Sequence, residues 1–156
     1  MEKKQRTLNN KGFSLIELIV VIAIMAILVG ALAPQYMKFV ERSRKSTDVQ
    51  NVAAIKSALE VYAADPMVTT NALETGKVTI KTTEAPVSAS NATGNGNAAL
   101  AAAGISSLVL KSSKWPATGG NITSYDLEYT VAPDGTIKFS ETALTTGYSI
   151  LNGKYN

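Results

Sequence analysis

Glu17 is the one charged side chain between Lys11 and Lys38, and its neighbours Leu15-Ile16 and Leu18-Ile19-Val20-Val21 are all aliphatic. No nucleophile or base stands near it in sequence, so the chemistry it suggests is charge pairing and not catalysis. In a membrane helix an ionised carboxylate costs up to about 2.5–3.5 kcal/mol at the centre and less toward the end, so it implies a role that needs a partner. The chain has no cysteine and no histidine. That excludes disulfides and thiolate chemistry and removes the two commonest zinc ligands. Asp126, Glu128 and Asp134 could reach a calcium ion, but a turn aspartate and two strand acids read first as surface carboxylates, and no metal or cofactor is expected. Gly94-Asn95-Gly96 lacks the third glycine and the preceding strand of a dinucleotide site. Trp115-Pro116 reads as a loop anchor on a core. Nothing indicates an enzyme.

The elements that must position Glu17 are legible. Residues 15–33 form an apolar run of nineteen positions with one charge, about 28 Å as a helix, enough to cross a hydrocarbon core of about 30 Å. Of the net charge of +3, all is already present in residues 1–12, where Lys3, Lys4, Arg6 and Lys11 stand against Glu2; from Phe13 onward eleven basic residues balance eleven acidic ones. The basicity belongs to a leader and not to a folded face, so no nucleic-acid partner is expected. It also places residues 1–12 on the cytoplasmic side and the C-terminal part outside.

Three readings fit a basic leader followed by an apolar run. A cleaved secretory signal would use Ala31-Leu32-Ala33, but the run is longer than the usual 7–15 residues, contains Glu17, and would put Pro34 just after the cut. A simple signal anchor explains the length and leaves Glu17 without a role. Gly12-Phe13-Ser14-Leu15-Ile16-Glu17, in contrast, resembles the processing site of type IV prepilins and pseudopilins. The resemblance implies that a membrane aspartyl peptidase cuts between Gly12 and Phe13, that Phe13 is N-methylated, and that Glu17 pairs with the N-terminal ammonium of an adjoining subunit during assembly. Each charge is expensive alone in a low-dielectric bundle, and each relieves the other across a subunit boundary.

Helical patterning continues beyond Ala33, with Val52, Ile55, Leu59 and Tyr62 forming an amphipathic stripe that predicts one helix from about Phe13 to Ala64 and a helix–sheet core. Pro34 leaves the Gly30 carbonyl without its amide partner, so Gly30 to Pro34 is the place to kink, and by resemblance to melt, on entry into a filament. The cluster Lys38, Glu41, Arg42, Arg44, Lys45 and Asp48 reads as a solvated face, with inter-subunit pairing or contact of Arg42 and Arg44 with lipid headgroups as alternatives. Strands are expected at 76–82, 104–110, 125–131 and 135–140, with Pro133-Asp134-Gly135 turning a hairpin and Tyr148, Ile150 and Tyr155 supplying a final edge. Residues 83–103 read as a polar surface loop with a short helix at 98–103.

The expected fold is α+β: a long N-terminal helix packed on a small antiparallel sheet, as in pilins. The expected organisation is a leader at 1–12, a membrane and polymerisation segment at 13–34, and an extracytoplasmic head at 35–156. Resemblance implies a homo-oligomeric helical filament with minor pilins, and a prepilin peptidase, an assembly ATPase and a platform protein as partners. Before assembly the chain is a single-pass membrane protein with its N-terminus inside. The absence of a cysteine pair and of a calcium-loop pattern favours an adhesion or motility pilin, as from a Gram-positive cell. A pseudopilin of type II secretion or DNA uptake is the alternative within the family, and a membrane-anchored monomeric binding protein the alternative outside it.

Overall fold

The computed structural model describes residues 12–68, 72–82, 94–105, 108–117, 120–142, 144 and 148–154. Helix α1 (Leu15–Ala64) is followed by strand β1 (Gly76–Lys81), helix α2 (Gly96–Ala102), a two-residue pair β2 (Pro116–Ala117) and β3 (Gly120–Asn121), and the strands β4 (Ser124–Val131) and β5 (Ile137–Thr142). The fold is α+β, one long helix and a small antiparallel sheet of order β1-β4-β5. The chain divides into two compact units between Phe39 and Val40.

In the first unit α1 is apolar on every side, and Phe13, Leu15 and Ile27 are 91%, 75% and 73% exposed. Such a helix has no core of its own, which in water is untenable and in lipid or a helix bundle is the normal condition. By length and composition it can cross a membrane. The helix runs through Gly30 and Pro34 without interruption.

In the second unit the predicted stripe finds its sheet. Val52, Ile55 and Leu59 share one buried cluster with Val78 and Ile80 of β1 and Tyr125, Leu127 and Tyr129 of β4, and Tyr62 packs against its edge. Strand β4 is central, pairing with β1 in the register Val78↔Leu127 and Ile80↔Tyr125 and with β5 in the register Tyr129↔Phe139. Alternation puts Tyr125, Leu127 and Tyr129 inward and the residues between them outward, the period-2 pattern of a sheet with one packed face. The hairpin closes at Gly135, whose φ of 82° suits glycine, with the Thr136 amide donating to Asp134 Oδ1 at 2.9 Å. A chain beginning at Tyr36 is therefore predicted to be soluble, folded and monomeric, since it keeps this cluster and discards the exposed run. Size-exclusion chromatography and near-UV circular dichroism check it, and an aggregated or unfolded product would show that the second unit depends on neighbours.

Four expectations are corrected. Of the predicted strand 104–110, the described residues form no ladder: the Leu110 amide donates to the Lys81 carbonyl at 3.0 Å and the Val109 carbonyl accepts from Asn51 Nδ2 at 3.2 Å. Its apolar side chains suit a strand, but its backbone groups are taken by the end of β1 and by a helix side chain. In place of a final edge strand, Ser149 and Lys154 form an isolated bridge closing a tight turn, while Tyr155 lies outside the described residues. The short helix starts two residues earlier than 98, at Gly96, and most of the preceding loop lies outside the described residues. Gly94 enters this helix with φ of 61°, where a Cβ would meet the Thr75 carbonyl oxygen at 2.7 Å, so Gly94-Asn95-Gly96 is a packing turn.

The fourth correction concerns the charge cluster at 38–48. Asp48 is fully buried, and its carboxylate accepts hydrogen bonds from the Lys111 amide at 2.5 Å, the Ser112 amide at 3.0 Å and Trp115 Nε1 at 2.9 Å. Glu41 accepts from Ser112 Oγ, and Lys45 Nζ lies 5.2 Å from the Trp115 ring centroid. This half of the cluster is a polar knot holding the segment 110–115 to α1. Glu141 makes a second knot, accepting from Tyr125 Oη at 2.9 Å and from the Ile150 and Leu151 amides at 3.1 and 3.0 Å. Burial and the adjacent Glu141 charge push the Tyr125 phenol well above its ordinary value.

Burial holds the Asp48 carboxyl above its ordinary value, with the Trp115 indole and the Lys111 and Ser112 amides acting the other way. A raised folded value means that the folded state favours the proton. The resulting stabilisation is complete below the ordinary carboxylate range and is lost as pH rises through the raised value. Denaturant titrations between about pH 3 and pH 7 should therefore show wild type losing ground to Asp48→Asn as pH increases. A difference that moves the opposite way would show that the three donors, and not burial, govern this carboxyl.

Candidate assembly site

Gly12, Phe13 and Glu17, singled out in sequence, gather at the start of α1. Gly12 and Phe13 precede the helix and are exposed. Ser14 occupies the N-cap position, its carbonyl accepting from the Leu18 amide at 3.2 Å. Glu17 Oε2 accepts from the Ser14 backbone amide at 2.8 Å. Ser14-Leu15-Ile16-Glu17 is thus the S-x-x-E pattern of a capping box, with the acid returning to an amide that the helix leaves without a partner. Sequence reasoning missed this, although the spacing carries it. The carboxylate also sits in the first turn, where the helix dipole favours negative charge.

Phe13, Ile16, Glu17, Val20 and Val21 line one shallow groove on the helix surface. The arrangement can therefore pair a charge and bury apolar area at the same place. Cleavage after Gly12 would create an ammonium on Phe13, one peptide unit from the amide that Glu17 already holds. Gly30 has open space on its Cα side, and Pro34 lies inside the helix with no N–H to offer the Gly30 carbonyl.

The candidate acids elsewhere have protein partners. Asp126 pairs with Lys77 at 3.2 Å and accepts from Thr79 Oγ1 at 2.5 Å. Glu128 faces Ser140 and Thr142, each at 3.4 Å. Hydrogen bonds from Thr136 hold the Asp134 carboxyl below its ordinary value. Among the described residues no three carboxylates cluster as metal ligands.

An apolar helix entered through a capped carboxylate, followed by a helix–sheet unit, is consistent with the α+β fold of pilins. Residues 7–33 match the family described as the prokaryotic N-terminal methylation motif, and this segment is similar to that of fimbrial proteins and of a type II secretion system core protein. The chain is 39% identical over 64 residues to the prepilin peptidase-dependent protein A of Clostridium perfringens, covering 40% of this chain and 46% of that one. It is 44% identical over 50 residues to a fimbrial protein of Pseudomonas aeruginosa, covering 32% of each. It is 35% identical over 65 residues to the type II secretion system core protein G of Dickeya chrysanthemi, covering 42% of this chain and 39% of that one. The similarity thus spans less than half the length of these relatives. No solved structure matches.

Proposed function

We propose that this chain is the structural subunit of a type IV pilus-like filament serving adhesion, motility or surface attachment. In this reading a prepilin peptidase removes residues 1–12, Phe13 becomes the methylated N-terminus, and α1 polymerises through its first half. An assembly ATPase, a platform protein and minor pilins are the partners this route requires. The chain waits in the cytoplasmic membrane, N-terminus inside, until it is assembled.

One observation carries the reading: α1 is exposed and apolar on all sides from Leu15 to Leu32, with a single carboxylate at its N-terminal end. A monomeric anchor needs the apolar surface but not the carboxylate. A growing helical bundle uses both, the apolar surface for packing and the carboxylate for register. The methylation-motif family matches across this stretch, relatives named as fimbrial proteins match over 50 and 55 residues, and local melting between Gly30 and Pro34 would let the helix adjust within the bundle. Electron microscopy of sheared surface material, with mass spectrometry of its bands, tests the proposal. Long filaments composed mainly of this chain support it, whereas a chain confined to the membrane fraction would contradict it.

A further inference from the structure

The polar knot does more than fix a segment of chain. It draws basic residues from three distant stretches of sequence to one region of the second unit. Arg42 and Arg44 come from α1, and Arg44 is 56% exposed. Lys111 and Lys114, both exposed, flank the segment that Asp48 and Glu41 hold through Ser112. Lys154 is exposed in the C-terminal turn, and that turn lies against the same part of α1, with the Tyr148 ring 5.9 Å from Lys45 Nζ. The nearby acids offset this surface only at Arg44. Asp48 is buried, and Glu41 is 17% exposed with one oxygen taken by Ser112 and the other 4.0 Å from Arg44. Among the described residues no carboxylate lies in salt-bridge range of Arg42, Lys111, Lys114 or Lys154.

We propose that this basic face, Arg42, Arg44, Lys111, Lys114 and Lys154, is a docking surface for the anionic headgroups of the bilayer that holds the chain before assembly. The inference rests on the reading that residues 15–33 span that bilayer. Arg42 follows Ala33 by nine residues, a tether of at most about 32 Å at any angle between the units. A tether that short presents the face to the headgroups at high effective concentration. Several cations gathered within one Debye length of an anionic surface attract it jointly, while a neutral zwitterionic surface offers no such field. The two carboxylates held in the knot are turned inward, so the exposed charges around it are basic, with Arg44 alone in salt-bridge range of Glu41. Docking would hold the second unit on the membrane until extraction, and extraction would have to break it.

The test uses the full chain reconstituted into vesicles. Because the chain has no cysteine, Ser113→Cys supplies one thiol on the exposed segment between Lys111 and Lys114 for an environment-sensitive fluorophore. Vesicles are of phosphatidylcholine with or without phosphatidylglycerol. The expected result is a blue shift of the probe only with phosphatidylglycerol. It should be lost on raising salt from about 0.1 M to about 1 M, where the Debye length falls from about 10 Å to about 3 Å. It should be lost too in the triple variant Arg42→Gln, Lys111→Gln, Lys114→Gln, with unchanged near-UV circular dichroism. Co-flotation with vesicles but no shift, or an equal shift in both lipids, would overturn the inference and leave membrane anchoring intact. A shift that follows protein-to-lipid ratio would assign the face to a second copy and overturn it equally. Failure to co-float would overturn the anchoring reading and the inference together.

Discussion

Replacing Glu17 with leucine is expected to leave membrane insertion intact and to abolish most filament assembly. The change makes the helix more apolar and leaves Gly12 and Phe13 in place, so insertion and cleavage should proceed. Assembly would then bring the Phe13 ammonium into the bundle with no carboxylate to meet it, and a buried charge stripped of its partner costs on the order of 3–5 kcal/mol. That cost recurs at every added subunit and exceeds the gain from one leucine, about 2 kcal/mol. The capping contact supplies a second explanation that must be separated from the first, because leucine also deprives the Ser14 amide of its acceptor. Glu17→Gln separates them: it keeps an oxygen for Ser14 and removes the charge. If pairing governs assembly, both variants fail; if capping governs it, glutamine restores filaments. The quantity to measure is the ratio of mature protein in sheared filaments to that in membranes. Normal filament yield from Glu17→Leu would remove both roles.

The second large effect is expected far from the membrane segment. Asp48→Ala leaves three donors without an acceptor, namely the Lys111 and Ser112 amides and the Trp115 indole. Each buried donor left unmade costs roughly 1–3 kcal/mol, and a domain of this size has about 5–15 kcal/mol in total. The segment 110–115 should detach from α1 and Trp115, now fully buried, should become accessible. Chemical denaturation of the chain starting at Tyr36, followed by Trp115 emission, measures both effects. A loss of less than about 1 kcal/mol would mean that solvent replaces the carboxylate and that the knot is not structural.

The contrast between what sequence reveals and what it hides falls along contact distance. Helix α1, β1 and the β4–β5 hairpin were readable because periodicity and Pro133-Asp134-Gly135 are local signals, and the structure places them within two residues of the reading. Asp48 was misplaced because it stands among charges, while its partners lie more than sixty residues away. Its spacing did hold a clue, since Asp48 continues the stripe of Val52, Ile55, Leu59 and Tyr62 one turn toward the N-terminus. Glu141 held the same kind of clue on β5, alternating inward with Ile137 and Phe139. A charged residue in register with an apolar face predicts a buried polar contact, though not the identity of its partner. The segment 104–110 misled for the reverse reason: its composition suits a strand, but pairing is decided by which backbone groups are still free.

Within the candidate site, the Gly12–Phe13 junction and Glu17 were legible as a motif, and the bond from Ser14 to Glu17 as a spacing that went unread. The pairing of Glu17 with an ammonium requires a second subunit and a cut chain. The most direct measurement is therefore the intact mass and N-terminal sequence of the protein recovered from sheared surface material. The expected product is a chain beginning at Phe13 and carrying one added methyl group. A mature chain beginning at Pro34, or one that retains residues 1–12, would contradict it.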